Sequence, residues 1–186
     1  MSAIRLKLKN NNAQHDLGVS KFLGKPVLPH EWVDEFDETV LFLLQINLEE
    51  IKDLDIDNRL PHKGYLYFFL DTVEGEYSLH PIVRYYEGEP TDVVDDFNII
   101  VPGYEEYTDE YLVEFELVDD EASGTKLFGT PADWNYQDEP RKLLLQFDPL
   151  DPGIELFDYI DGLFYFFFDE NDEKDFSKIT LMEEYS

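Results

Sequence analysis

Cysteine is absent from this 186-residue chain, which excludes a disulfide scaffold, a thiolate metal site and a cysteine nucleophile. Cations are scarce: 14 Lys and Arg stand against 43 Asp and Glu, for a formal charge of −29. Phosphate backbones and anionic lipid headgroups repel so negative a chain, which excludes general binding to nucleic acid or membrane surfaces. No apolar run approaches the roughly 20 residues of a membrane span. Met1 to Asn10 lacks the apolar stretch of a signal peptide, so a soluble, cytoplasmic protein is expected. Serine-elbow, phosphate-loop and dinucleotide fingerprints are missing as well.

Hydrophobic residues, by contrast, make up 43% of the chain and aromatics 16%, more than a disordered acidic chain carries. One domain spanning residues 1–186 is long enough to bury a core unaided. Four landmarks recur in the same order. Ser20-Lys21-Phe22-Leu23-Gly24-Lys25-Pro26 resembles Thr125-Lys126-Leu127-Phe128-Gly129-Thr130-Pro131, and Trp32 answers to Trp134. Leu43-Leu44-Gln45 answers to Leu144-Leu145-Gln146, and Gly64–Asp71 to Gly162–Asp169. The offset shrinks from 105 to 98 residues, as loop deletions in one copy would produce. The expectation is a duplication with repeats at about 20–84 and 125–182, joined by an acidic linker at about 85–124 and related by a pseudo-twofold axis.

The elements read as mainly β with few short helices. Ile4, Leu6 and Leu8 alternate with Arg5, Lys7 and Lys9, the period of a half-buried strand. Leu41–Ile46, Gly64–Leu70, Leu143–Phe147 and Gly162–Phe168 are nearly continuous apolar runs, suited to strands covered on both faces. Ile82–Tyr86, Tyr111–Val118 and Ile179–Met182 are further strands. Asn47, with Glu50 three residues on, marks the start of one short helix that Pro61 closes off.

The ordered set from Ser20 to Pro29, with Trp32, Leu43–Leu48, Leu60-Pro61 and Gly64–Phe69, resembles the YwqG-like bacterial family. Leu127-Phe128-Gly129, Leu144-Leu145-Gln146 and Asp161–Phe166 extend the resemblance to roughly residues 16–182. It implies a β-rich domain of two pseudo-symmetric repeats and no activity, since that family has no known function. Leu23 stands where a second glycine is usual, and the long amino-terminal extension of many members is missing.

No catalytic constellation emerges. His15, His30, His62 and His80 all lie in the first half without helical metal spacing, and read as exposed loop residues. Asp53–Asn58 imitates half an EF-hand loop but has Asn58 where glycine is required and Gly64 where the bidentate Glu belongs. Asp169–Glu173 fails similarly, so both read as solvated turns. No metal and no cofactor is implied.

Two surfaces remain. Lys21, Trp32, Gln45 and Asn47 match Lys126, Trp134, Gln146 and Asp148. An amide inside an apolar strand must have partners, because an unpaired one costs about 1–3 kcal/mol. Either each Gln clamps a turn of its own repeat, such as Gly24-Lys25-Pro26 or Gly129-Thr130-Pro131, or both orient a ligand in a cleft between repeats. That cleft would make the protein a small-molecule binder or an enzyme. The second surface is the stretch 85–125, which holds 14 Asp and Glu and no Lys or Arg. Its tyrosines beside carboxylates suit a basic protein partner, with Tyr104 and Tyr107 as anchors and Glu105, Glu106, Asp109 and Glu110 as charges. The expected role is therefore a non-enzymatic binder, one concrete form being a toxin-neutralising immunity protein.

Overall fold

The computed structural model describes residues 2–10, 17–37, 39–71, 79–95, 97, 110–136, 139–151, 162–172 and 174–185. The protein is mainly β. Its strands are β1 (Ser2–Asn10), β2 (Lys21–Phe22), β3 (Val27–Leu28), β4 (Val40–Asn47), β5 (Tyr65–Asp71) and β6 (His80–Tyr86). They continue with β7 (Asp92–Val93), β8 (Tyr111–Asp119), β9 (Lys126–Leu127), β10 (Leu143–Phe147), β11 (Gly162–Phe167) and β12 (Thr180–Tyr185). Among the described residues there is one α-helix, α1 (Leu48–Ile51), and none long and apolar enough to cross a membrane.

Ten strands form one antiparallel sheet in the order β12-β11-β10-β9-β1-β8-β2-β4-β5-β6. At its centre β1 pairs with β8 along the full strand, from Ser2 opposite Asp119 to Asn10 opposite Tyr111. Outward from that pair, one arm runs β8-β2-β4-β5-β6 and the other β1-β9-β10-β11-β12. The two outer edges approach each other. Leu79 N donates to Glu183 Oε1 at 3.1 Å, and the Phe176 ring lies 6.0 Å from Tyr85 and 6.1 Å from Phe168. The sheet thus nearly closes on itself, through side-chain contacts and not a backbone ladder between β6 and β12. The stretch at 85–124 contributes β7 and, at the expected strand Tyr111–Val118, the central strand β8. The reason is the amphipathic face of β1, whose Ile4 and Leu6 are buried and which has β8 as its long partner.

Side chains of the two arms meet inside the curl in one apolar cluster containing Ile4, Leu6, Phe22, Leu44, Phe68, Phe147 and Phe166. Phe68 and Phe166 are fully buried, with ring centroids 5.5 Å apart and nearly perpendicular. The outer face of β4 and β5 carries Phe42, Tyr67 and Phe69 under Leu28 and Val94, with Trp32 and Phe36 packed against them. The outer face of β11 carries Tyr165 and Phe167 beside Tyr136. Both faces of β5 and β11 are therefore covered, as their uninterrupted apolar runs require.

The paired leucines have a local cause. Register shifts between Phe42 and Leu44 in β4, and between Leu143 and Leu145 in β10, mark a bulge in each strand. Leu43 and Leu44 both enter the same core cluster, as do Leu144 and Leu145. Leu23 and Phe128 turn the chain out of β2 and β9 with positive φ of 54° and 64°. This is the left-handed region in which glycine is favoured. Asn47 caps α1 by accepting from Glu49 N at 3.1 Å.

Candidate functional site

In antiparallel register Lys21 stands opposite Gln45 and Gln45 opposite Tyr67; Lys126 stands opposite Gln146 and Gln146 opposite Tyr165. Cross-strand partners share a face, so each trio forms a row. The two rows belong to different arms, with β1 and β8 between them, and are not brought together.

Each row holds down the loop that follows its own short strand. Gln45 Oε1 accepts from Val27 N at 3.1 Å, while its Nε2 donates to Val19 O at 3.1 Å and Leu17 O at 3.4 Å. Gln146 Oε1 accepts from Ala132 N at 2.9 Å, and its Nε2 donates to Gly124 O at 2.8 Å. Lys21 Nζ donates to Lys25 O at 2.9 Å, and Lys126 Nζ to Thr130 O at 2.7 Å. Val27 and Ala132 immediately follow Pro26 and Pro131, so the clamped turns are those named from sequence. Both glutamine amides are fully buried and spend their bonds on backbone.

The neighbouring positions repeat the pattern. Asn47 N donates to Ser20 Oγ at 2.9 Å, and Asp148 N to Thr125 Oγ1 at 3.1 Å. Asn47 Nδ2 also donates to Gly18 O at 2.7 Å. Two carboxylates complete the set: Glu50, expected from sequence only as part of the helix cap, and Asp151, which sequence reasoning passed over. Glu50 Oε1 accepts from Ser20 N at 3.1 Å and Asp151 Oδ2 from Thr125 N at 2.7 Å. Their shared spacing, three residues after Asn47 and Asp148, is the signal that could have found them. Asp148 also lines a cavity of about 510 Å³ with Arg5, Lys7 and Asp151, and burial pushes its carboxyl up. Trp32 packs edge-on against Tyr67 and Tyr86 at 5.6 Å, under the Arg84 guanidinium. Trp32 closes the 3-10 turn His30–Trp32, and Trp134 opens the 3-10 turn Trp134–Tyr136.

The rows differ at one point. Lys21 forms an ion pair with Glu110 at 2.9 Å. Lys21 pairs with Leu112 of β8, and Lys126 with Arg5 of β1, so the counterpart of Glu110 is Ala3. A Cβ on Gly24 would meet Glu110 at 2.7 Å, and one on Gly129 would meet Ala3 at 3.0 Å, in agreement with that correspondence. Lys126, fully buried, instead donates to the carbonyls of Asp120 at 2.9 Å and Thr130. Burial pulls its ammonium down to about 8.

A test of that shift follows from proton linkage. The unfolded chain holds the Lys126 proton up to its ordinary value of 10.5, whereas the native chain releases it near pH 8. Between those values the unfolded state binds more protons, so this group makes stability rise with pH. Relative to K126M, the native protein should gain up to roughly 1.4 kcal/mol per pH unit from pH 8 to 10. Urea unfolding of both proteins at pH 7.5, 8.5 and 9.5 measures it. Parallel stability curves would mean that Lys126 is not desolvated.

The acidic stretch brings no cation of its own, but the fold supplies several. Arg5 and Lys7 bind Glu116, Lys9 binds Glu114, Lys21 binds Glu110 and Lys25 binds Asp95 at 2.7 Å. His30 Nδ1 lies 3.2 Å from Asp92. Expectations of an uncompensated segment are corrected to that extent, because β1 and the 21–25 turn lie against it. Glu110 is the partner-surface candidate within the described residues. Tyr104, Glu105, Glu106, Tyr107 and Asp109 lie outside them.

The turn at 53–58 is also corrected. Asp55 is buried, and its carboxylate accepts from Arg59 N at 3.0 Å and Leu60 N at 2.9 Å, with His62 Nε2 at 3.4 Å. It is a loop clasp and not a solvated residue. Asp169, by contrast, is part of a short surface turn, accepting from Asn171 N at 3.0 Å. Among the described residues no group of three or more His, Asp and Glu could hold a metal ion.

Residues 20–99 match a domain of unknown function, DUF1963. The matched segment starts at Ser20, one residue before β2, and takes in β2 to β7. Among curated proteins none matches the chain.

Proposed function

We propose that the protein is a cytoplasmic, YwqG-like, non-enzymatic binder of a basic protein partner, with toxin neutralisation as one concrete form. The carrying observation is how its few cations are used. At least nine of the fourteen, Arg5, Lys7, Lys9, Lys21, Lys25, Arg59, Arg84, Arg141 and Lys178, sit in internal ion pairs. Those pairs neutralise the cations where they stand and leave the −29 excess as a field facing solvent. Such a field speeds encounter with a basic surface and repels acidic ones. The glutamine clasps support the same reading, since amides bonded to backbone have nothing left for a ligand. The matched contact sets support descent from a duplication, with each copy clasping its own loop.

The partner surface is placed on the acidic segment, with Tyr104 and Tyr107 as anchors. Glu110 is left out of the charge-removal variant, because its loss would strand buried Lys21. A partner captured at low salt and released at high salt should have a high pI. Against that partner, E105Q/E106Q/D109N should slow association several-fold and flatten its salt dependence. Replacing Tyr104 and Tyr107 with Ala should speed dissociation instead. Unchanged kinetics in both variants, measured by surface plasmon resonance, would remove the segment from the interface.

A further inference from the structure

With β1–β7 as a first half of the chain and β8–β12 as a second, each central strand has both its neighbours in the opposite half. β1 lies between β8 and β9, and β8 lies between β1 and β2. Each sits beside the other half's clasp strand: Arg5 of β1 stands opposite Lys126, and Leu112 of β8 opposite Lys21. The backbone bonds agree. Leu6 N donates to Thr125 O at 3.0 Å, and Val113 N to Ser20 O at 3.2 Å. Since Ser20-Lys21 answers to Thr125-Lys126, Arg5 answers to Leu112 and Leu6 to Val113, a shift of 107 residues. Leu6 and Val113 are both buried.

The same shift carries the β1–β8 ladder onto itself. The pair Arg5–Glu116 becomes the pair Leu112–Lys9, and Lys7–Glu114 becomes itself with its members exchanged. A twofold axis through the Lys7–Glu114 pair has this effect. The two strands do not look alike in sequence because their outward charges are reversed: Lys7 and Lys9 answer to Glu114 and Glu116. Across the axis Arg5 and Lys7 pair with Glu116, and Lys9 pairs with Glu114. Two β1 strands or two β8 strands side by side would oppose like charges instead, which destabilises a strand pair.

We propose that the two halves are strand-exchanging modules that recognise each other through the opposite charges of β1 and β8, and that a second copy of the chain is the further partner this surface fits. The halves are joined covalently only between β7 and β8, so each contact between them can form equally between halves of two copies. Exchange of an identical element between protomers is a low-cost route to dimers. A second copy brings the matching clasp strand, the matching core and the complementary charges together. The inference is independent of the basic partner assigned to the acidic segment.

The test uses the full chain. K7E/K9E gives β1 the outward charges of β8, and E114K/E116K gives β8 those of β1. Between 39% and 54% of each of these side chains is exposed, so the reversals leave the core intact. Each double variant should unfold at a urea midpoint lower by roughly 0.5 M or more, and K7E/K9E/E114K/E116K should recover it. The two double variants, mixed in urea and refolded together, should form a heterodimer, since exchange pairs each acidic strand with a basic one. Native mass spectrometry should find it in roughly fivefold or greater excess over either homodimer. Wild type refolded with the quadruple variant should show no such excess, because exchange there opposes like charges. A quadruple variant that recovers nothing, or double variants that give no heterodimer excess, would overturn the proposal.

Discussion

Phe68→Ala and Phe166→Ala are each expected to lower the unfolding free energy by about 3–5 kcal/mol. Both rings are fully buried, come from opposite arms of the sheet and meet edge to face. Truncating either removes the transfer free energy of a benzyl group and leaves a cavity that the nearly closed sheet resists collapsing into. Because the rings touch, the two losses should not add. A double-mutant cycle should return a coupling of about 0.5–1.5 kcal/mol, the value of an aromatic pair beyond its buried area. Urea denaturation of the two single variants and the double variant measures all three quantities. Losses under about 1 kcal/mol for both single variants would show that the arms do not share a core.

Gln45→Leu and Gln146→Leu should each cost about 2–4 kcal/mol, although leucine has nearly the volume of glutamine and suits an apolar strand. The cost comes from what is left behind. In Q45L the buried Val27 N and the part-buried Val19 O lose their partner, and in Q146L the part-buried Ala132 N and Gly124 O do, so Q45L should fall at the upper end of that range and Q146L at the lower. An unsatisfied buried amide or carbonyl carries its full desolvation penalty. Amide exchange gives a sharper readout than global stability, since the Val27 and Ala132 amides should exchange faster in the corresponding variant and not in the other. Stability changes below about 1 kcal/mol, with exchange unaltered, would return the amides to the role of ligand-orienting groups.

Much of this fold is legible in one dimension because a strand's side-chain period is short. Alternation in β1 and the doubled leucines of β4 and β10 need only neighbouring residues to be read. The clasps are legible in part. That Gln45 and Gln146 need partners follows from an amide in an apolar run, and the adjacent Gly-Pro turns were the natural candidates. Glu50 was legible only as part of the helix cap, and Asp151 escaped because carboxylates are so common in this chain that no pair stands out. The ion pairs of β8 escaped because Arg5, Lys7 and Lys9 are more than a hundred residues away from Glu114 and Glu116 along the chain.

Local pattern by itself determined the strand content, the two covered aromatic strands, the helix cap at Asn47 and the recurrence of landmarks. All of these depend on contacts within a few residues or on the alternation of one strand. Tertiary structure decided that residues 85–124 supply a central strand, that Asp55 points inward and that Lys126 lacks the carboxylate Lys21 has. Such outcomes depend on which distant segments the closing sheet brings together. Charge acts through distance in space, and a sequence carries only distance along the chain.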